Sequence, residues 1–195
     1  MSAVLESGAK LSKIELAKAE RCGLELAPEL AELAARGWEN LEEADLTIRL
    51  KWLGIFFRPV TPGRFMVRLR LPNGVITSDQ LEVLADAVDR CGEEGSADIT
   101  TRQNIQLRGL LLDDMAPLMR AMEAVGLTSR QSGHDNPRNI TGNPLAGIDP
   151  EELVDTRPLV AAIQSRLLAD DAPTNLPRKF NIAVGGAADS FLLHN

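Results

Sequence analysis

The stretch FMVRLRL, residues 65–71, alternates along its whole length. Phe65, Val67, Leu69 and Leu71 fall on one side, and Met66, Arg68 and Arg70 on the other. Period-two alternation marks a strand, here with one core-facing side and one basic side. Pro72-Asn73-Gly74 behind it is turn chemistry. Ser78 can cap a helix that keeps Leu81, Leu84, Ala85 and Val88 on one face and closes near Gly92. Two short strands are predicted over Ala97–Thr101 and Asn104–Arg108, joined through Arg102-Gln103. Asp113 or Asp114 opens a further helix with Met115, Leu118, Met119, Met122 and Val125 inside. Gly126 ends that helix, and Leu127–Gln131 is predicted as the last strand.

The order β-α-β-β-α-β over residues 64–132 is the ferredoxin-like split motif. Upstream, residues 1–11 read as a loose tail. Ser12 with Glu15 three residues on forms a capping-box pattern for a helix to about Cys22, ending at Gly23. Another helix starts near Pro28 and stops before Gly37. Leu41–Phe57 mixes helical and extended signals and reads as a packing arm, and the Pro59–Gly63 segment is a break. Downstream, Ser132–Pro150 is rich in Gly, Pro, Asn and Asp and reads as irregular, either a linker or a binding loop. A helix over Arg157–Ala169 and a strand over Phe180–Val184 follow. Little sequence remains to pair that strand, which implies an unfinished sheet. The expected class is α/β of the α+β kind. A helical arm (1–63) precedes a ferredoxin-like half-domain (64–132), and a second, incomplete α/β domain begins at 133–195.

Composition narrows the function. The 195 residues are 44% hydrophobic, enough for a sizeable core, but only 4% aromatic with no tyrosine. Packing must rest on aliphatic side chains and Met. A net charge of −7 argues against general nucleic-acid binding. No apolar run is long enough to span a bilayer, and MSAVLESGAKLSK has no apolar h-region of a secretory signal. Cys22 and Cys91 give no disulfide framework, so a reducing compartment is the default. His134 and His194 are far from both, and no metal ligands are predicted.

Within this acidic chain, basic residues recur on strand faces and in polar loops. Arg68 and Arg70 share the basic side of the first strand. Arg102 sits in the tight connection Thr100–Asn104, and Gln106 and Arg108 point one way from the next strand. Arg138 lies inside Asn136-Pro137-Arg138-Asn139. Arg178 and Lys179 open the later strand, and Asn181 shares a face with Lys179. Guanidinium groups bind carboxylates and oxyanions bidentately, and Lys adds a compact charge. The set therefore suggests an anionic ligand; the plainer alternative pairs each arginine with a surface carboxylate. Cys91 reads as a packed thiol, Cys22 as structural or incidental, and His134 as a loop histidine facing solvent, with donation to a ligand as the alternative. Met115, Met119 and Met122 form a core stripe, and Glu42, Glu43 and Asp45 a solvated face. No phosphate-cradling loop or nucleophile elbow is present.

Four strings add to this: FMVRLRLPNGVIT (65–77), ADITTRQNIQLRG (97–109), VGLTSRQSGHDNPRNITGNPLAGIDP (125–150) and NLPRKFNIAV (175–184). They resemble ferredoxin-dependent nitrite reductases, cyanobacterial and plant, in that family's order from about Ser12 onward. The resemblance implies reduction of nitrite to ammonia with six electrons from reduced ferredoxin, at a siroheme coupled to a [4Fe–4S] cluster. Siroheme is rich in carboxylates, which suits the basic set. By resemblance Arg68, Arg138, Lys179 and Asn181 face the substrate, while Arg102, Gln106, Arg108 and Arg178 contact the siroheme periphery. Arg68, Arg138 and Lys179 would stabilise charge on nitrite, and Lys179 or arginine-bound water would relay protons. Asn181 favours nitrite, because the similar sulfite enzymes place a second lysine there.

The family's cluster cysteines lie in a C-terminal half that this chain does not contain, and Cys22 and Cys91 match neither motif. The expectation is an N-terminal portion, inactive alone, of an enzyme that is cytoplasmic, or in the plastid stroma if from a plant or alga, and monomeric when full length. The alternatives are a sulfite reductase portion, or a non-catalytic module that binds a tetrapyrrole or ferredoxin.

Overall fold

The computed structural model describes residues 11–91 and 96–188. The expected tail, the helix end near Gly92, and His194 lie outside them. Helix α1 (Lys13–Glu20) begins where Ser12 accepts the Glu15 amide at 3.2 Å. A 3-10 turn over Gly23–Glu29 leads into α2 (Leu30–Arg36), which ends at Gly37 with φ 80°. Helix α3 (Glu43–Thr47) and a 3-10 turn over Arg49–Leu53 then run into β1 (Ile55–Phe57). Asp45 is not on a solvated face. It is buried and accepts Arg49 Nη1 at 2.8 Å, since the buried Arg49 needs a counter-charge.

The arm is woven into the sheet. Strand β1 pairs antiparallel with β2 (Phe65–Arg68), setting Ile55 opposite Val67 and Phe57 opposite Phe65. The Pro59–Gly63 break is the bend between them. With β3 (Ala97–Thr100) and β4 (Asn104–Leu110) they form an antiparallel sheet in the order β1-β2-β4-β3. Helices α4 (Ser78–Cys91) and α5 (Met115–Ala124) bury Leu84, Val88, Met115, Leu118 and Met122 into one core with Val67, Leu69, Leu107 and Leu110. Each such side chain contributes about 1.5–3 kcal/mol when fully buried. The methionine stripe is therefore core. The chain has the mixed α/β, ferredoxin-like architecture that the pattern implied.

Its last strand differs. Leu127–Gln131 makes only a single bridge, Arg70 to Thr128. The segment directs its hydrogen bonds elsewhere: Ser129 Oγ donates to Leu53 O and the Gln131 amide to Trp52 O, both at 2.6 Å. Gln131 has φ 58°, which no strand continues through. Strand β1 occupies the edge instead.

The second unit corrects another expectation. Strand β5 (Pro137–Gly142) lies inside the segment expected to be irregular. Strand β6 (Phe180–Val184) pairs with it in parallel, Ile140 opposite Ile182 and Gly142 opposite Val184. Helix α6 (Arg157–Leu168) makes the crossover that parallel strands require. Pro, Asn and Gly give β5 a poor strand signature. Its place is held by the Asn139 side chain bonding to the first unit's backbone, and by the Arg70 and Gln103 side chains bonding to its own.

Candidate functional site

Two amides clasp the units together. Asn139 Nδ2 donates to the carbonyls of Leu71 at 2.7 Å and Arg102 at 2.8 Å. Gln103 pairs through both amide atoms with Gly142, accepting its N–H at 2.8 Å and donating to its carbonyl at 2.7 Å. The Gln103 side chain thus acts as one residue of a strand beside β5. Its backbone sits at φ 52°, in the left-handed region of the tight β3–β4 turn. Arg102 is carried at that turn.

The junction opens into a cavity of about 220 Å³. Arg68 comes to it from β2, Asn104 and Gln106 from β4, and Thr100 from β3. Arg102 comes from the turn, Ser132, Arg138 and Asn139 from the approach to β5, and Lys179 from just before β6. Five residues singled out by sequence therefore converge: Arg68, Arg102, Gln106, Arg138 and Lys179. Three do not line it. Arg108 is ion-paired with Asp98 across β3–β4, where antiparallel pairing brings their strands together. Arg178 and Asn181 are exposed, Arg178 next to Lys179 and Asn181 inside β6. Thr100, Asn104, Ser132 and Asn139 escaped sequence reading, because neutral polar residues carry no charge signal.

The electrostatics separate this group from the other arginines. Arg49, Arg130 and Arg157 each have a carboxylate partner. Among the described residues, no carboxylate forms a salt bridge with Arg68, Arg102, Arg138 or Lys179. Burial lowers the Arg68 guanidinium pKa to about 10, with help from Arg138, Arg102 and Arg108. Arg138 is lowered by burial and then by Arg102, against the pull of Asp135. Both remain cationic at neutral pH. Arg68 lies over the Phe56 ring at 4.5 Å, and Arg138 Nη1 donates to Ser132 O at 2.9 Å.

Two neighbours were misread from sequence. Arg70 is not on an open basic face but 2% exposed, because the second unit covers that side of β2. His134 does not face solvent. Its ring stacks on Trp52 at 4.7 Å, and burial followed by Lys51 lowers its pKa, with Asp135 opposing. Cys22 and Cys91 pack against the apolar core, and among the described residues no three His, Cys, Asp or Glu side chains could hold a metal. No helix of the described residues is long and apolar enough to cross a membrane. A larger cleft of about 540 Å³ between α2 and α5 is lined chiefly by apolar residues and lacks such a concentration of charge.

A preorganised set of cations without counter-ions, in a partly desolvated cavity, is suited to binding an anion. Residues 59–125 match the nitrite/sulfite reductase ferredoxin-like half domain. Residues 133–195 match the nitrite and sulphite reductase 4Fe-4S domain. A ferredoxin–nitrite reductase of Leptolyngbya laminosa is 50% identical over 194 residues, covering 97% of this chain and 38% of the relative. That of Synechococcus elongatus is 54% identical over 185 residues, covering 93% of this chain and 36% of the relative. The chloroplastic ferredoxin–nitrite reductase of Arabidopsis thaliana is 47% identical over 189 residues, covering 91% of this chain and 32% of the relative. The chain thus spans about a third of the length of these relatives. The structure of Mycobacterium tuberculosis NirA protein superposes with a TM-score of 0.84 at 25% identity, over 91% of this chain and 36% of that one.

Proposed function

Because the chain belongs to the nitrite and sulfite reductase family, we propose that it forms the substrate-side portion of a ferredoxin-dependent nitrite reductase. The observation that carries this reading is the convergence of Arg68, Arg102, Arg138 and Lys179 on one cavity with no carboxylate salt bridge to any of them among the described residues. A carboxylate-rich tetrapyrrole and a small oxyanion together supply the missing negative charge. Siroheme fits this donor set, and when bound it supplies an iron centre for nitrite and a path for electrons. Arg102 and Gln106 bind its periphery from the cavity wall. Arg108 and Arg178, at the rim, join them only if Arg108 exchanges Asp98 for a ligand carboxylate.

Arg68 and Arg138 offer guanidinium donors to the oxygens of nitrite, where partial desolvation strengthens each bond. Guanidinium groups do not give up protons at neutral pH. Lys179 is therefore the exchangeable donor as N–O bonds break, with arginine-bound water as the alternative. Asn181 limits the positive charge beside Lys179 and favours nitrite over sulfite. A [4Fe–4S] cluster does not fit the described residues, since Cys22 and Cys91 are single packed thiols. Reduced ferredoxin is the proposed electron donor, in the cytoplasm or the plastid stroma, with the whole enzyme a monomer.

The test is siroheme binding by absorbance and nitrite reduction in the complete polypeptide. Arg138→Glu should abolish turnover, and near-normal activity would remove Arg138 from the site. Asn181→Lys should shift preference toward sulfite, and unchanged selectivity would defeat the discrimination argument. Siroheme binding without nitrite turnover would favour a non-catalytic tetrapyrrole module.

A further inference from the structure

We propose that Arg70 is a positioning residue that sets the place of Arg138 in the basic cavity without touching the ligand. The inference rests on the reading of that cavity as an anion site. Arg70 is fully buried and does not line the cavity. Its Nη1 donates to Gln131 O at 2.9 Å and to Pro137 O at 2.8 Å, so one nitrogen closes both ends of the loop Gln131–Pro137. Its Nη2 donates to the carbonyl of Arg138 itself at 3.2 Å. Its main-chain N–H donates to Thr128 O at 2.8 Å, which ties the residue to the Leu127–Gln131 segment that leads into the loop.

The stapled loop is one that needs holding. Gln131 and His134 both have positive φ, at 58° and 54°. The loop also carries Ser132, whose carbonyl accepts Arg138 Nη1 and whose hydroxyl donates to Arg68 O. Loop shape therefore fixes both the backbone and the guanidinium of Arg138. Stability alone does not explain a buried cation here. Among the described residues Arg70 has no salt bridge to a carboxylate, and a well-packed apolar side chain in such a place is often equally stable or more so. What an apolar side chain cannot do is hold three carbonyls at once.

The test compares the chain with its Arg70→Lys and Arg70→Met variants, each checked for folding by circular dichroism. Arg70→Lys keeps the charge and stem but cannot span all three carbonyls. Side-chain NMR of nitrogen-15 arginine, with Arg138 assigned through Arg138→Lys, should show the Arg138 Nε–Hε signal displaced. Its hydrogen exchange should rise about tenfold or more. The Arg49 signal, held by Asp45, should stay in place. An Arg138 signal unchanged in position and exchange would overturn the proposal.

Nitrite titration supplies the second arm. Arg70→Lys should weaken binding about tenfold in the parent, and hardly at all in an Arg138→Ala background, because the two residues act as one unit. Equal weakening in both backgrounds would also overturn it. A siroheme-loaded parent that binds no nitrite would count against the proposed function, while the NMR comparison still decides the role of Arg70.

Discussion

Ser132 donates its hydroxyl to the carbonyl oxygen of Arg68 at 2.8 Å. Its own carbonyl accepts Arg138 Nη1 at 2.9 Å. One neutral residue thus spans the two arginines, with no carboxylate consumed in holding them. Among the described residues no carboxylate forms a salt bridge with either arginine, so their charge is available to a ligand, at a cost to the fold of the free protein.

That cost should be visible in Arg68. Replacing it with Met removes a half-buried cation in the field of Arg138, Arg102 and Arg108. Thermal stability without ligand should rise by about 1 kcal/mol. Affinity for nitrite should fall about tenfold or more. Calorimetric unfolding and titration of one preparation read both effects, and a loss of stability would mean that the Phe56 stacking contact outweighs the repulsion.

The same group predicts a pH dependence with opposite signs for stability and binding. Arg68 titrates near 10 in the fold, below its ordinary value. Above about pH 10 the unfolded chain holds the proton that the folded one has lost, so stability from this group rises with pH. Anion affinity falls across the same window as the charge disappears. The advantage of Arg68→Met should therefore be full below about pH 10 and shrink above it. Denaturation of both proteins on either side of that point tests this, and a constant difference would exclude Arg68 as the titrating group.

The strand FMVRLRL was legible because alternation is a local property, and its core and basic sides were both read from spacing. The fate of Arg70 was not legible. Its side of β2 faces a unit more than sixty positions downstream, and only tertiary packing buries it. Strand β5 was hidden for a related reason. Pro137, Asn139 and Gly142 are poor strand formers whose place is set by Gln103 and Asn139 amides reaching across the junction. The charged half of the site stood out against an acidic chain. Ser132, Asn139 and Gln103 position that charge through main-chain bonds, which no spacing rule reveals.

His134 offers a probe of the loop that carries Arg138. Burial and Lys51 hold its pKa below the ordinary value. Between the folded value and about 6.5 the unfolded chain binds more protons, so stability is lost as pH falls through that window. Protonation also adds a further cation beside Lys51, Lys18 and Arg138. Acidification from neutrality should therefore lower the melting temperature and change Trp52 fluorescence, since the two rings stack. In His134→Phe the fluorescence step should vanish; its survival would move the effect to another group.

Gln103 should cost more to remove than an exposed turn residue. Truncation to Ala leaves both the N–H and the C=O of Gly142 without partners at the junction. The expected loss is about 2 kcal/mol in urea unfolding. Gln103→Gly should be milder, because glycine accommodates φ 52° without strain. The glycine variant would still lose the clasp, so both should loosen Arg102 and weaken siroheme binding. An Ala variant as stable as the parent would show that water replaces the amide.

Gly142 is the other half of that clasp, and the space it leaves is already taken. A Cβ built there would overlap the carboxamide of Asn73, which is buried with φ 56°. Among the described residues Asn73 Oδ1 accepts no hydrogen bond, so steric fit rather than bonding decides the outcome. Gly142→Ala should cost about 1–3 kcal/mol by overpacking, and should move β5 away from Gln103. Asn73→Gly vacates the space and keeps the positive φ, so it should restore most of that loss. A double-mutant cycle in urea measures the coupling. Additive effects would mean that β5 shifts without meeting Asn73, and siroheme affinity would then report whether Arg102 moved with it.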